Sequence, residues 1–382
     1  MDLNDWLAKT RLVACVGSGG VGKTTSAAAI GLWAAKQGRK VIVLTIDPAK
    51  RLANSLGLEE MGGEATRIDL SAVPEAEGEL WAMMLDSRGT FDSLIAAVAP
   101  SEEIRDRIFA NHIYRHMADA LAGSQDYMAT EKLHDLVSSG LYDLVVLDTP
   151  PVKNALDFLE SPGRVITFLD ERVIEWFLVP QTDVDSWRSR LFGGASAVMF
   201  RLLGTIFGKE FLSDFAEFLS DFRGLLQGFR QRHRAVLEML HADSTSFVTV
   251  CAPNESSVDV AVFFQKELSE RNLPRAGVLV NQVHRCEPVD DTVFDALKQA
   301  AEASATGLPE RTVPMLMARL GRAHGRLRHL IEVEQRMVAD VRAAAAGAGF
   351  LQQIPRFEGQ VYDLPALLRV GHAIFEEPSE DV

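Results

Sequence analysis

The nine residues Gly17–Thr25, GSGGVGKTT, constrain the fold of this chain more than any other feature of its sequence. They match the pattern G-x-x-x-x-G-K-[ST], follow a short apolar run at 11–16 and precede a helical stretch predicted from Lys23 to Gln37. The glycines let consecutive backbone N–H groups turn inward around phosphate oxygens, and the N-terminus of the following helix adds positive potential. We predict a phosphate-binding loop formed by Gly17, Gly19, Gly20, Val21, Gly22, Lys23, Thr24 and Thr25.

Four polar side chains have predicted chemical roles beside phosphate. Lys23 is expected to reach the β- and γ-phosphates, and the hydroxyl of Thr24 is expected to ligate Mg²⁺. Asp148 ends the apolar run YDLVVLD, the pattern of an acid that orients Mg²⁺ beside such a loop. Asp47 ends the run KVIVLTID, where a carboxylate can position and deprotonate an attacking water. The alternative interpretation of Asp47 is an Asp-Pro pair that starts a turn.

Short apolar runs that alternate with helical stretches predict an α/β fold. Besides the runs already named, they lie at 246–252 and 276–282, and their β-branched, continuous character is typical of strands buried on both faces of a parallel sheet. A closing run, FLQQIPRF, lies at 350–357. We predict a P-loop NTPase fold with a mostly parallel, doubly wound sheet. Residues 1–160 and 245–382 would form the P-loop domain, with a helical segment at about 290–345, and 161–244 an inserted helical subdomain.

Charge and cysteine content limit the class of protein. Lys and Arg number 39 against 53 Asp and Glu, so the net charge is −14 and general binding of nucleic acid is not expected. Cys15, Cys251 and Cys286 are far apart in sequence, which argues against a disulfide framework; Cys15 and Cys251 are predicted to be buried in strands. The chain has no leader pattern and no apolar run long enough to span a bilayer. A cytoplasmic location is therefore predicted.

Four segments taken in order resemble one known family. GSGGVGKTT, TIDPAKRLANSLGL, VVLDTPP and VLVNQV are similar to the corresponding motifs of the ArsA/Get3 group of deviant-Walker-A ATPases, and the resemblance covers about residues 10–375. It implies hydrolysis of ATP with Mg²⁺ by a dimer that encloses nucleotide between its subunits and opens on hydrolysis. The partner would be a second copy or a homologous subunit.

The same resemblance implies roles for individual residues. Asp47 would be the catalytic aspartate of the first switch, and Asp148 would begin the second switch, which senses the γ-phosphate. Asn281 would read the edge of adenine, and Pro355 and Phe357 would lie in the loop around the adenine base.

The sequence departs from the family pattern in three places. The lysine that follows the first glycine of the loop in the family, and that reaches the partner's phosphates, is replaced by Ser18. In the second switch the usual Thr and His are replaced by Val152 and Asn154. The zinc-binding CxxC pair is missing, since Cys286 stands alone. We therefore expect slow hydrolysis unless another cation, such as Lys50, Arg51 or Lys153, or a partner subunit takes the place of the lysine.

Half of the 20 phenylalanines lie between 168 and 229. Within this segment Phe211, Phe215, Phe218, Phe222, Leu225 and Phe229 form an apolar stripe at helical spacing. Two interpretations remain open, namely packing of a helical subdomain on the sheet, or a groove for an apolar helix of another protein. The groove favours an ATPase that handles an apolar segment or a membrane-protein client. The alternatives are the ATPase subunit of an anion or arsenite efflux system, and a ParA/MinD-like positioning ATPase.

Two minor features have predominantly structural explanations. His112 and His116 are four residues apart on a predicted helix, but the sequence supplies no third metal ligand. The basic run RLGRAHGRLRHL at 319–330 is expected to be a solvated helix face, and a contact with an acidic partner is the alternative.

Overall fold

The computed structural model describes residues 2–47, 51–115, 118, 125–150, 209–286, 291–304, 311–359 and 361–376. Its centre is a sheet of eight strands: β1 (Leu12–Gly17), β2 (Lys40–Thr45), β3 (Thr66–Arg67), β4 (Glu79–Met84), β5 (Leu144–Asp148), β6 (Thr245–Cys251), β7 (Arg275–Val283) and β8 (Phe350–Pro355). The strand order is β3-β4-β2-β5-β1-β6-β7-β8. The loop after β1 lies at the centre of this order, beside the ends of β5 and β6.

Every strand pair is parallel except β3 with β4, which is antiparallel. The predicted mostly parallel sheet is therefore confirmed. The predicted runs correspond to β1, β2, β5, β6, β7 and β8, whereas β3 and β4 were not predicted. The sequence of β4, ELWAMM, contains no β-branched residue and begins with Glu, so composition does not distinguish it from a helix.

Helices with defined bounds pack around the sheet and on one another, and a further short helical turn lies at 112–115. The helices with defined bounds are α1 (Leu3–Lys9), α2 (Lys23–Lys36), α3 (Arg51–Ser55), α4 (Ser87–Val98), α5 (Glu102–Ala110), α6 (Gln125–Ser139), α7 (Lys209–His241), α8 (Glu255–Glu270), α9 (Asp291–Ser304), α10 (Thr312–Ala344) and α11 (Leu364–Phe375). Helix α2 covers the range predicted from Lys23, and its end is followed by Gly38 at φ +86°, a backbone conformation that glycine adopts without strain.

The strands alternate their side chains between two apolar layers. On one face Val13 and Cys15 of β1 pack with α1, α2 and α11. On the other face Leu12 and Val16 pack with α6, with the C-terminal part of α7 and with α8. Because both faces are covered by helices, nearly continuous apolar strands are stable here. Cys15 and Cys251 are fully buried, as predicted.

A third apolar cluster lies among helices α4, α5, α6 and α7. The described part of the phenylalanine stripe belongs to it: Phe218, Phe222, Leu225 and Phe229 are buried, 0–3% exposed. They pack against residues of 87–128, including Phe91 and Tyr114. At these four positions the stripe is core, and the expectation of a client groove is wrong there. The side chains of Phe211 and Phe215, and the whole of 151–208, lie outside the described residues.

One ion pair ties this cluster together across the chain. The guanidinium of Arg107 on α5 donates from Nε to Asp221 on α7 at 3.1 Å.

Among the helices that the structure describes, none is long and apolar enough to cross a membrane.

Candidate functional site

The loop between β1 and α2 has a backbone that only glycine can adopt at two points. A Cβ atom on Gly17 would lie 2.0 Å from the carbonyl oxygen of Val250 on the neighbouring strand. Gly22 has φ +94°, and a Cβ atom there would lie 2.2 Å from Nδ2 of Asn281. These close approaches explain why glycine is needed where the loop leaves the sheet and where the helix begins.

Lys23 is the first residue of α2 and is held over the loop. Its ammonium group donates a hydrogen bond to the carbonyl oxygen of Ser18 at 2.8 Å. Only 7% of the residue is exposed, and this burial lowers the pKa of the ammonium group, while Asp148 acts in the opposite direction. A buried cation whose hydrogen-bond partner is a neutral backbone oxygen is well placed to bind an anion instead.

Asp148 joins the ends of three elements. Its Oδ2 accepts hydrogen bonds from the hydroxyl of Thr24 at 2.7 Å and from that of Thr45 at 3.0 Å. Its Oδ1 is buried and accepts no hydrogen bond from the residues that the structure describes. Burial raises the pKa of this carboxyl to about 6, although Thr24, Thr45 and Lys23 favour the charged form. A hydroxyl and a carboxylate with a spare acceptor form the oxygen set that Mg²⁺ prefers, so the side chains fit that ion.

Asp47 lies two residues beyond the end of β2. Its backbone N–H donates to the hydroxyl of Thr45 at 3.3 Å, and its side chain lies close enough to Lys23 to favour the charged form of the ammonium group. The following residues 48–50, which include Lys50, are outside the described part. The carboxyl edge of the sheet thus brings Asp47 and Asp148 to the same loop.

Asn281 on β7 contacts the phosphate loop from the other side. Its Nδ2 donates to the carbonyl oxygen of Val21 at 2.8 Å, and its Oδ1 accepts from the backbone N–H of Gln282 at 2.9 Å. The side chain therefore braces the loop at the turn where Gly22 leaves no room for a Cβ atom.

These side chains surround a cavity of about 540 Å³, within the range typical of small-molecule sites. Ten residues predicted from sequence line it: Gly19, Gly20, Gly22, Lys23, Thr24, Thr25, Asp47, Asn281, Pro355 and Phe357. Gly17, Val21 and Asp148 do not line the cavity. They contact its surroundings: Gly17 lies against Val250, Val21 accepts a hydrogen bond from Asn281, and Asp148 accepts one from Thr24.

Seven further lining residues were missed by sequence reasoning: Asn54, Ser55, Gln282, Gly359, Val361, Tyr362 and Val370. Asn54 and Ser55 belong to α3, and Val370 to α11, so only the packing of these helices brings them to the site. Tyr362 is 58% exposed, and its position at the cavity is visible only in the structure.

The position of the missing family lysine has local partners. The hydroxyl of Ser18 donates to the hydroxyl of Ser257 at 3.1 Å, and that oxygen accepts from the backbone N–H of Ala252 at 3.0 Å. Of the three cations considered as replacements, Arg51 lines the cavity. Lys50 and Lys153, together with Val152, Asn154 and His116, lie outside the described residues.

Comparison with known proteins agrees with this geometry. A family model described as anion-transporting ATPase matches residues 10–308. The ATPase get3 of Neurospora crassa and the ATPase GET3 of Podospora anserina are each 26% identical over 275 residues, which cover 72% of this chain and 74% of each relative. The ATPase get3 of Aspergillus terreus is 25% identical over 268 residues, covering 70% of this chain and 71% of the relative.

The family match spans the phosphate loop, both aspartates and Asn281, and the sheet is mostly parallel, as the sequence predicted. The chain therefore belongs to the anion-transporting ATPase family, the ArsA/Get3 group, and its members are ATPases.

Proposed function

We propose that the cavity binds ATP with Mg²⁺ and that water attacks the γ-phosphate in line with the leaving oxygen. The observation that carries this proposal is the hydrogen bond from Thr24 to Asp148, beside the buried, unpartnered Oδ1 of the same carboxylate. It joins the phosphate loop to the strand end where a metal ion would be needed.

Thr24 and Asp148 would hold the magnesium ion, Thr24 directly and Asp148 directly or through water. When bound, the ion neutralises charge on the phosphate oxygens. Lys23 would exchange its hydrogen bond with the Ser18 carbonyl for the β- and γ-phosphates, and the backbone N–H groups of the loop would stabilise charge on the transferred group. Asp47 would orient the water and accept its proton.

The apolar end of the cavity fits a nucleotide base. Pro355 and Phe357 follow β8, and Val361 and Tyr362 complete this end. Asn281, which already contacts the loop at Val21, would read the polar edge of adenine.

We further propose that the protein works as a dimer whose nucleotide state controls its conformation, either as a homodimer or with a homologous subunit. Ser18 cannot supply a charge to a partner's phosphates, so a subunit that retains the lysine would accelerate hydrolysis. Arg51 is the described residue of this chain best placed to act instead, because it lines the same cavity.

The proposed output is the handling of an apolar protein segment or a membrane-protein client. Its support is the concentration of phenylalanine between 168 and 207, a segment outside the described residues. The alternative output is anion efflux, which the family description names. Both outputs use the same ATPase site, so a test must compare their ligands.

Stimulated phosphate release distinguishes the two outputs. We expect an apolar helical peptide of about 20 residues, long enough to span a bilayer, to change the steady-state rate of the full chain several-fold. Arsenite should leave that rate unchanged. The Asp47→Asn variant is the matched control, since it should show no release with either addition. Stimulation by arsenite and not by the peptide would assign the protein to efflux.

A further inference from the structure

Helices α9 and α10 leave an unusual amount of apolar surface uncovered. Of the nine large hydrophobic side chains that are exposed in the described part of the chain, six lie on these two helices: Val293, Leu297, Met315, Leu316, Leu320 and Leu330. Helix α10 is anchored at its start by buried Val313 and in its C-terminal part by buried Val338 and Val341, where Glu334 accepts a hydrogen bond from the backbone N–H of His284 at 2.9 Å. Between these two anchors most of its side chains are exposed.

Apolar residues along α10, all of them exposed except the half-buried Leu327, follow a regular spacing. Leu316, Leu320, Ala323, Leu327 and Leu330, which we call the exposed seam, are separated by 4, 3, 4 and 3 residues. This is the spacing at which one helix packs lengthwise on another. Leu316, Leu320 and Leu330 are 47%, 42% and 41% exposed. At about 1.5 Å per residue the seam is about 21 Å long, or roughly four helical turns.

Helix α9 occupies a neighbouring side of α10 and does not cover the seam. The ring of Phe294 on α9 meets His324 edge to face at 5.8 Å between centroids, and Cys286 approaches Nδ1 of His324 at 3.7 Å. His324 is one position beyond Ala323, about 100° around the helix. The seam therefore lies beside the contact with α9, on a free flank.

The other flank of the seam is basic. Between 312 and 331 the sequence contains Arg319, Arg322, Arg326 and Arg328 and no Asp or Glu, in a chain whose net charge is −14. Arg319 and Arg326 directly precede Leu320 and Leu327, the position from which coiled-coil residues pair with charges on a partner helix. In the part of the chain that the structure describes, these arginines form no ion pair.

From this surface we propose that the exposed seam of α10 docks an acidic amphipathic helix of a partner protein. Apolar residues at a spacing of three and four would cover the seam, and Glu or Asp beside them would pair with Arg319 and Arg326. No residue of α9 or α10 lines the nucleotide cavity, so this surface is separate from the ATP site. The family match ends at 308, before α10 begins.

Charge favours an acidic helix on the exposed seam over a second copy of this chain and over an anionic membrane. A second copy of the same face would place arginines against arginines, which is unfavourable. An anionic bilayer would attract the arginines but repel the chain as a whole, and the seam is a narrow row between the α9 contact and the arginines, without the broad apolar face of a membrane-surface helix.

The test uses two labelled peptides and the full-length protein. Both are helical peptides of about 21 residues, about 31 Å long, with leucine at the spacing of the seam. One has Glu at the flanking positions and the other has Lys. We expect the wild type to bind the acidic peptide at least tenfold more tightly than the basic one, measured by fluorescence anisotropy. Raising the salt from 50 to 500 mM should weaken this binding several-fold, because the arginines are exposed.

Charge reversal on the protein should reverse the preference. The Arg319→Glu, Arg326→Glu variant is expected to lose the acidic peptide and to gain the basic one. Arg328→Glu, Arg336→Glu carries the same change of net charge on other sides of α10 and should bind like the wild type. Rates of ATP hydrolysis and circular dichroism check that both variants fold.

Three results would overturn the proposal. The first is equal binding of the two peptides, and the second is equal loss in both reversal variants. The third is a different occupant. A second copy as occupant would appear in light scattering as self-association that Arg319→Glu, Arg326→Glu abolishes. A membrane as occupant would appear as binding to phosphatidylserine vesicles that the same variant loses. In either case the wild type would bind neither peptide.

Discussion

At the scale of single residues, Asp148 combines two requirements that oppose each other. A metal-binding carboxylate must be charged, yet this one is 1% exposed, and burial raises its pKa to about 6. The hydrogen bonds from Thr24 and Thr45 offset part of that cost. The protein therefore holds the carboxylate at a cost in stability that a bound cation would reduce.

This balance predicts a stability that depends on pH. Between the ordinary pKa of an aspartate, near 4, and its value of about 6 here, the folded protein holds a proton that the unfolded chain has released. Stability from this group is thus present at low pH and is lost as pH rises through about 6. Each pKa unit corresponds to about 1.4 kcal/mol. Because an asparagine has no charge to bury, Asp148→Asn should raise the free energy of unfolding by up to about 3 kcal/mol at pH 7.5.

The same substitution should change stability little at pH 4, where both side chains are neutral. Urea unfolding of the nucleotide-free, magnesium-free protein at the two pH values measures the difference. An equal effect at pH 4 and pH 7.5 would show that the carboxylate titrates normally. In the wild type, affinity for the magnesium–nucleotide complex should fall below about pH 6, as Asp148 takes up its proton.

At the scale of secondary-structure elements, α7 links the sheet to the helices around α4 and α5. Its C-terminal part packs on the sheet through Val236 and Leu240, and its middle part carries Phe222 into the third apolar cluster. The ring of Phe222 packs in tilted contacts on Phe218 and Phe229, with centroid distances of 5.0 and 5.7 Å. The middle of α7 is therefore core structure that joins two parts of the chain distant in sequence.

Phe222→Ala should consequently destabilise the protein by about 3–5 kcal/mol, because it leaves a cavity among buried aromatic rings. Arg223→Ala, one residue along on the exposed side of the same helix, is the control and should change stability by less than about 0.5 kcal/mol. Chemical unfolding curves give both values. If the Phe222→Ala protein is as stable as the control, Phe222 is not part of the core, and the middle of α7 would again be interpreted as one side of an open groove.

The elements also show where sequence patterns are informative. Strands β1, β2, β5, β6 and β7 were predictable because they are apolar, β-branched and buried on both faces, and β8 was expected from the closing run FLQQIPRF. Strand β4 was not, because Trp81, Met83 and Met84 fit a helix as well as a strand. The apolar stripe of α7 was predicted correctly as a helical face, but its covering by α4 and α5 depends on contacts between distant segments, which spacing cannot reveal.

At the scale of the whole molecule, the site is assembled where strands end at one edge of the sheet. Lys23, Thr24, Asp47, Asp148 and Asn281 were identified from motifs at or just beyond the carboxyl ends of β1, β2, β5 and β7, and parallel strands bring these ends together. The rest of the cavity comes from α3, α11 and the chain after β8. Sequence reasoning assigned no role to Asn54, Ser55, Val361, Tyr362 or Val370, and only the packing of the whole chain places them at the site.

The account rests centrally on the claim that this cavity binds ATP through Lys23 and hydrolyses it with Asp47. The most direct measurement is ATP affinity by calorimetry, together with phosphate release at saturating ATP, for the wild type, Asp47→Asn and Lys23→Ala. Asp47→Asn should bind ATP like the wild type and hydrolyse it about 10²–10⁴-fold more slowly, since this factor is the usual contribution of a general base. Lys23→Ala should lose tight binding. An Asp47→Asn variant with the wild-type rate, or a Lys23→Ala variant with wild-type binding and turnover, would contradict the account.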